Sequence, residues 1–406
     1  MQLSEQQLLQ IILSYLHIIK RTLNLCQILN YIGTNCIKSL FISRMKKITY
    51  FLLLALLSNH YLHGQKLKAI KATSIKADYR IGSRWVKGNW NISPEISPDV
   101  LTIICRHKSE KFVFYTDIDS IDFELFPNKS YPFYVLINNK DSALTEIKCE
   151  EYKLLSFNSE NNNYKFLFEE KPDTNNYLNT LRTTYKLDNL IDKSKSDADN
   201  VLKVLNWVHS QWNHDGMNEP SKNDALTILK EAHEGKSFRC VEYGIVTAAC
   251  LNALGFKART LGLQTKDVET AESGAGHVLT EVWLNDLQKW AMLDGQWNAM
   301  PVLNNIPLNA VELQKAIVTN YDSIEIKSLS ASDRVNYIEW ISPYLFYFVA
   351  PFDNREILNS KPFEIEGKSH LMLVPTGAKE PKKFQKKWDI DYCIYSNSLH
   401  DFYKKL

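Results

Sequence analysis

Residues 237–256, SFRCVEYGIVTAACLNALGF, place Cys240 at the start of a stretch with the spacing of an α-helix. Apolar residues recur behind it at helical intervals: Val241, Ile245, Ala248, Ala249 and Leu251. Gly255 stands where a helix C-cap belongs. A helix N-terminus carries unpartnered backbone N–H groups, and these favour a thiolate or an oxyanion. Cys240 is therefore a candidate nucleophile, whereas Cys250 lies deep in the apolar run and fits a small core residue.

A thiol nucleophile needs a base, and residues 277–294, HVLTEVWLNDLQKWAMLD, supply one on a predicted β-hairpin. We expect a strand to residue 283, a turn around residues 285–286, and a return strand from residue 288. Pairing 283 with 288 places Asp294 opposite His277, with Cβ atoms about 4.5–5.5 Å apart. The carboxylate can then fix one imidazole nitrogen and leave the other for the thiol. A slip of one residue would put the two side chains on opposite faces.

These features, in this order, resemble the transglutaminase-like superfamily, whose fold is related to that of papain-type cysteine proteases. The resemblance covers residues 175–310, and GFKAR (residues 255–259) stands where the family has Gly-Ile-Pro-Ala-Arg. The chain departs from the family at HVL, where His-Ala-Trp is usual. The resemblance implies a triad of Cys240, His277 and Asp294 that forms a thioester from an amide. It does not distinguish crosslinkers, peptidases, deglycosylating amidases and inactive binding domains.

Neighbouring residues receive weaker assignments. Trp212, Trp207 and Gln296 are candidates for holding an oxyanion, although helix packing explains both tryptophans more simply. Arg259 and Glu281 are expected to form a structural ion pair beneath the site. The histidines show no metal-ligand grouping, and no glycine-rich phosphate loop is evident, so neither a metal nor a cofactor is expected.

The rest of the chain divides by its sequence pattern. Residues 66–158 alternate short apolar runs with turn residues, which is typical of a β-rich module. Residues 175–335 hold helical patterns and the candidate site, and residues 336–406 return to an aromatic, β-like pattern. Within the last segment, residues 338–352 are expected to form a pair of core strands. The expected fold class is α+β: a papain/transglutaminase-like core, with the nucleophile helix packed on an antiparallel sheet, between an N-terminal β module and a β-rich C-terminal segment.

The N-terminal region predicts export. MKKITYFLLLALLSNHYLHGQ begins at Met45 with basic residues and an apolar core, residues 48–57. That core is shorter than the roughly 20 residues of a membrane span. We interpret residues 45–64 as a signal peptide of a periplasmic or secreted protein that has no membrane span once mature. Residues 1–44 are then a mis-assigned upstream start. The alternative is that they form a real amphipathic helix of an intracellular protein.

The composition is that of a globular protein. The 406 residues are 45% hydrophobic, which is enough for sizeable cores. Residues 1–65 carry six basic residues and one acidic residue, and the remaining 341 carry 42 basic and 45 acidic residues, so no basic stripe indicates a nucleic-acid partner. Five cysteines follow Met45, and an odd number leaves at least one thiol free. Cys105 and Cys149 could pair, but spacing alone does not establish a disulfide.

The expected function is that of an exported thiol enzyme acting on protein, peptide or peptide-like amide substrates. Hydrolysis is the first expectation, because no feature marks an amine-acceptor site. The alternatives are a protein-crosslinking acyl transferase and a non-catalytic module that binds peptides or glycans. The sequence leaves open whether the aromatic C-terminal segment covers the site.

Overall fold

The computed structural model describes residues 67–330, 333–356 and 361–405. The expected signal peptide, residues 45–64, and the segment before it lie outside the described residues. No helix in the described part of the chain combines the length and the apolar character needed to cross a bilayer.

The first eight strands form two four-stranded sheets that face each other. They are β1 (Ala69–Ala72), β2 (Lys76–Ile81), β3 (Arg84–Asn91), β4 (Asp99–Cys105), β5 (Glu110–Tyr115), β6 (Ser120–Leu125), β7 (Lys129–Ile137) and β8 (Asp141–Glu151). One sheet has the order β1-β7-β8-β4 and the other β3-β2-β5-β6. Alternate residues such as Phe112, Phe114 and Phe133 are buried between the sheets. A disulfide between Cys105 and Cys149 joins β4 to β8, with a Cα–Cα distance of 6.1 Å.

A helical layer follows the β module. Its members are α1 (Asn176–Thr184), α2 (Asp197–His209), α3 (Ala225–His233) and α4 (Cys240–Ala253). Their starts are set by capping side chains: Ser196 accepts a hydrogen bond from the Asp199 N–H, and Asp224 accepts one from the Thr227 N–H. The α4 helix is buried on nearly every side from Glu242 onward, because the other helices and a sheet surround it.

A six-stranded sheet lies under α4. Its strands are β9 (Lys257–Gln264), β10 (Gly276–Leu284), β11 (Lys289–Leu293), β15 (Tyr347–Pro351), β16 (His370–Leu373) and β19 (Cys393–Ser396). The order is β11-β10-β9-β15-β16-β19, and only β16 and β19 run parallel. The sheet thus contains three strands that follow residue 336. The last segment of the chain extends this sheet.

Shorter elements complete the described chain. They are β12 (Met300–Leu303), β13 (Ile306–Pro307), α5 (Ala310–Thr319), β14 (Ile324–Lys327), α6 (Arg334–Ile341), β17 (Lys383–Phe384), β18 (Trp388–Asp389) and α7 (Leu399–Phe402). Leu313 of α5 and Tyr337 of α6 share a core with Leu279 of β10, whereas Val282 of β10 faces the α4 side. The sheet is therefore covered on both faces.

Helix α4 and strand β10 approach each other at Gly244. A Cβ atom at this position would lie 2.9 Å from Val278 Cγ1 and 3.2 Å from the carbonyl oxygen of Leu279. The Thr280 hydroxyl donates a hydrogen bond of 3.0 Å to the Gly244 carbonyl across the same contact. The glycine therefore sets the distance between the helix that starts at Cys240 and the strand that starts beside His277.

Two expectations of local structure are wrong. Residues 338–352 do not form a strand pair: α6 occupies the first part, and β15 is the single strand. The Asp333 carboxylate caps α6 by accepting hydrogen bonds from the Val335 and Asn336 N–H groups, and Pro343 follows directly after the helix.

The predicted register of the hairpin is also wrong, by two residues. Trp283 pairs with Trp290, where the sequence analysis paired it with Gln288. The reason is that Leu284 is fully buried and stays in the strand, which moves the turn one residue along the chain. A shift of two residues preserves the face on which each side chain lies.

Candidate active site

Cys240 is the first residue of α4, at the helix start that the apolar spacing of residues 241–251 predicts. Its side chain is half-buried, and its thiol is one of three free thiols in the described residues. Burial alone would raise the pKa of this thiol. A hydrogen bond with His277, the charge of that imidazole and the backbone N–H of Val278 outweigh burial, so the pKa of Cys240 is lowered. The surroundings therefore favour a thiolate.

His277 lies at the start of β10 and is 2% exposed. Its Nε2 lies 2.8 Å from Oδ2 of Asp294, which has no exposed surface. Burial alone would lower the pKa of His277, but the charge of Asp294, the hydrogen bond to it, and Cys240 together raise the pKa to about 10. The opposite shifts of the thiol and the imidazole favour a thiolate–imidazolium pair.

His277 and Asp294 are in contact although the hairpin register differs from the predicted one. Leu293 is opposite Thr280, so Asp294 is a diagonal neighbour of His277, two positions from the predicted direct opposition. Diagonal neighbours on one face of a sheet remain within reach of long side chains. Since Nε2 is occupied by the carboxylate, Nδ1 is the nitrogen left for the thiol.

Tyr337 of α6 is a member of the site that sequence reasoning missed. Its hydroxyl lies 3.3 Å from the same Asp294 oxygen that contacts His277, and the side chain is fully buried. Burial and the nearby carboxylate raise the pKa of Tyr337 well above its ordinary value, so the hydroxyl remains a donor. The other oxygen of Asp294 accepts a hydrogen bond of 3.3 Å from the Trp297 N–H. Both carboxylate oxygens are thus held.

Aromatic rings from α6 and the turn after it cover the imidazole. The Trp340 ring meets His277 edge-on, with centroids 4.8 Å apart, and the Tyr344 ring lies 6.0 Å from it. Trp340 also packs on Trp297, at 5.2 Å. These contacts leave His277 almost without solvent exposure. Aromatic residues of the C-terminal segment therefore cover the candidate site.

The three oxyanion candidates lie in different surroundings. The ring of Trp212 packs 4.4 Å from Tyr243 of α4, and its Nε1 is buried without a hydrogen-bond partner in the described residues. Trp207 packs edge-on against Tyr185 in the helical layer. Gln296 is half-buried just after Asp294. A buried N–H without a partner costs free energy. Because the Trp212 N–H is buried and unpaired, a bound oxyanion could accept its hydrogen bond.

Arg259 and Glu281 form the expected ion pair. The two side chains are almost completely buried, with Nη2 and Oε2 2.8 Å apart. Arg259 also donates to the Phe402 carbonyl, while Glu281 accepts from the Tyr403 hydroxyl and the Ala310 N–H. The pair therefore links residues 402 and 403 to the central sheet. It makes no contact with Cys240 or His277.

The candidate site thus combines a half-buried thiol at a helix start with a buried histidine and a buried carboxylate, on a mixed helix-and-sheet fold. Residues 185–295 match the family model of the transglutaminase-like superfamily. The chain therefore contains a transglutaminase-like domain in that segment. A search of curated proteins found no match.

Solved structures with similarity include three of different kinds. A candidate cysteine protease from Cytophaga hutchinsonii matches at 12% identity and a TM-score of 0.25, over 50% of this chain and 65% of that one. A Rad4–Rad23 complex on a UV lesion matches at 15% and 0.22, over 43% and 42%. Red sea bream transglutaminase matches at 9% and 0.25, over 69% and 55%. The chain spans less than two thirds of each, and similarity at this level assigns no activity.

Proposed function

We propose that the protein is an exported thiol hydrolase that cleaves amide or peptide bonds through Cys240, His277 and Asp294. The observation that carries the proposal is the buried hydrogen bond between His277 and Asp294 beside a cysteine with a lowered pKa. A structural histidine would not need a carboxylate on one nitrogen and a thiol at the other. Perturbed pairs of this kind are typical of active sites.

The first half-reaction forms a thioester. The Cys240 thiolate attacks the carbonyl carbon, and the oxygen takes up the negative charge near the N–H groups at the start of α4. Trp212 Nε1 is the candidate for a second donor. The His277 imidazolium gives its Nδ1 proton to the leaving nitrogen, the C–N bond breaks, and the amine departs. Asp294 holds the ring through Nε2 during this transfer.

The second half-reaction restores the enzyme. A water molecule attacks the thioester carbon and gives a proton to the neutral His277. The C–S bond breaks, the acid product leaves, and the thiolate–imidazolium pair is restored. An amine in place of water would make the same site an acyl transferase. We favour water because it needs no second binding site.

The disulfide between Cys105 and Cys149 supports the proposed export. Disulfides persist in oxidising compartments such as the periplasm and the cell exterior. Burial raises the pKa of the two other free thiols in the described residues, Cys250 and Cys393, so we expect both to react slowly.

The second candidate is a non-catalytic binding module. The observation in its favour is the aromatic cover, which leaves His277 only 2% exposed. An enzyme with this structure must admit substrate past Trp340 and Tyr344, whereas a binding module need not.

Alkylation of Cys240 by iodoacetamide as a function of pH tests the proposal. We expect an apparent thiol pKa below about 8.5 in the mature chain, and a rise in His277→Ala because the imidazolium is lost. The buried Cys250 and Cys393 serve as internal controls for unfolding. An ordinary midpoint in both proteins would exclude the enzyme and favour the binding module. Incorporation of cadaverine into a glutamine peptide would identify the acyl transferase.

A further inference from the structure

Helix α6 contacts the candidate site with one side and the β module with another. On the first side, the Tyr337 hydroxyl contacts the carboxylate of Asp294. Three positions later, the Trp340 ring contacts the imidazole of His277. Residues three or four positions apart lie on the same side of an α-helix, so these two contacts belong together. The neighbouring side of α6 carries side chains that reach the module.

The first contact with the module lies at the edge of a sheet. Strand β3 is the outermost strand of its sheet, and backbone groups on the open side of such a strand have no partner strand. Asn336 binds both groups of Lys87: its Oδ1 accepts a hydrogen bond of 3.1 Å from the N–H, and its Nδ2 donates one of 3.1 Å to the carbonyl. Val335, one residue earlier, packs against the core of the module. These contacts hold the start of α6 against β3.

The second contact is a buried charge cluster around Glu339, whose side chain is 2% exposed. One of its carboxylate oxygens lies 2.8 Å from Nη1 of Arg106 and 3.2 Å from Nε of Arg84, and both arginines belong to the β module. The Tyr321 hydroxyl donates to the same oxygen at 2.9 Å, and the Arg106 guanidinium lies 3.9 Å from the centre of the Tyr321 ring. Separation of α6 from the module would leave the buried Arg106 without its carboxylate, and an uncompensated buried charge is costly.

The aromatic cover of the candidate site is carried by the same segment. Trp340 directly follows Glu339, and its ring centroid lies 4.8 Å from that of His277. It also packs on Tyr344, at 5.2 Å, in the turn after α6. Burial and the nearby thiol of Cys240 raise the pKa of Tyr344 to about 12. A shift of α6 would therefore move two rings that lie close to the histidine and the thiol.

We propose that the β module holds the aromatic cover over the candidate site through α6, with Glu339 as the positioning residue. Glu339 acts through Trp340, because its ion pairs fix the helix backbone that carries the ring. Weakening these ion pairs lets α6 move and exposes the thiol. The purpose of this arrangement rests on the proposed function, under which such a movement admits the amide substrate.

The limiting rate of Cys240 alkylation tests this role. The full mature chain reacts with iodoacetamide at pH values where the rate no longer rises, and labelling is measured on the peptide that contains Cys240. The thiol is then fully ionised, so the rate reports access to it. Glu339→Gln removes the shared charge, and Asn336→Ala removes the two hydrogen bonds to β3 without leaving a buried charge. We expect each change to raise the limiting rate at least about fivefold, since lost hydrogen bonds of this kind shift an equilibrium by that order. Arg106→Gln, on the module side, should have the same effect.

Two comparisons separate positioning from a general loss of stability. Glu281→Gln breaks the buried ion pair with Arg259, which links the sheet to residues 402 and 403, and its limiting rate should equal that of the wild type. Trp340→Ala removes the main ring of the cover and should raise the rate by itself. In that background Glu339→Gln should add no further increase, because the two changes act on one step.

Unchanged rates in Asn336→Ala and Arg106→Gln overturn the proposal, whether or not Glu339→Gln folds. An equal increase in Glu281→Gln, a wild-type rate in Trp340→Ala, or a further increase in the double variant also overturns it. Failure of the proposed function has a different signature, which is an ordinary pKa of Cys240 in the wild type. The comparison of limiting rates remains valid in that case, because these rates are measured above the pKa of the thiol.

Discussion

Replacing Gly244 by alanine tests whether the contact between α4 and β10 holds the candidate site together. In an unconstrained helix the change would stabilise the protein by about 1 kcal/mol, because glycine has a low helix propensity. Here the new Cβ would lie 2.9 Å from Val278 Cγ1 and 3.2 Å from the Leu279 carbonyl. Overpacking of this kind costs about 1–3 kcal/mol. We expect a net loss of about 1 kcal/mol in the free energy of unfolding.

The same displacement should disturb the chemistry, because Cys240 lies one turn before Gly244 on the helix. Urea unfolding gives the stability of the variant, and the pH profile of iodoacetamide alkylation gives the thiol pKa. We expect the pKa of Cys240 to move towards its ordinary value as the thiol moves away from His277.

A double-mutant cycle with Val278→Ala supplies the control. Removing the valine methyls relieves one of the two close contacts, so the alanine at 244 should then cost about 1 kcal/mol less. Gly216→Ala is the matched single change, since a Cβ there meets only His214 Cε1, at 3.8 Å. A gain in stability for Gly244→Ala, or additive effects in the cycle, would show that the helix and the strand are not in close contact.

Two further substitutions test the surroundings of the site. Tyr337→Phe removes only the hydroxyl that reaches Asp294, and we expect turnover to fall about fivefold, as for loss of roughly 1 kcal/mol of hydrogen bonding, with unfolding little changed. An unaltered pH–rate profile in that variant would leave Tyr337 a packing residue. Glu281→Gln leaves the buried Arg259 charge without its partner and should cost about 3 kcal/mol in urea unfolding. Glu312→Gln, in the partly exposed pair with Lys289, should cost less than about 1 kcal/mol, and equal losses would contradict the assigned role of burial.

Local patterns in the sequence identified the parts of the site that are close in the chain. Helix spacing placed Cys240 at the start of α4, and strand alternation placed His277 and Asp294 on one face. The register could not be fixed, because it depended on whether Leu284 was buried in the core or part of the turn. Pattern alone carries no information on that choice.

The surroundings of the site could not be predicted, because they come from distant parts of the chain. Tyr337 reaches Asp294 across 43 residues, and Trp340 reaches His277 across a longer interval. The sequence pattern predicts strands for their segment, since its aromatic residues suit a strand as well as a helix. The signal that could have found α6 was Asp333 ahead of the apolar spacing of residues 337, 338 and 341.

The segment that matches the family model is shorter than the segment that folds together. The family match ends at residue 295, but strand β9 pairs on one side with β15, which begins at residue 347. A chain cut at the end of the match would carry β9 as an open, apolar sheet edge, and such edges associate with other chains. It would also lack the tyrosine that holds Asp294. The segment after residue 295 is therefore needed both to close the sheet and to hold the carboxylate of the candidate site, although none of its own residues is a proposed catalytic residue.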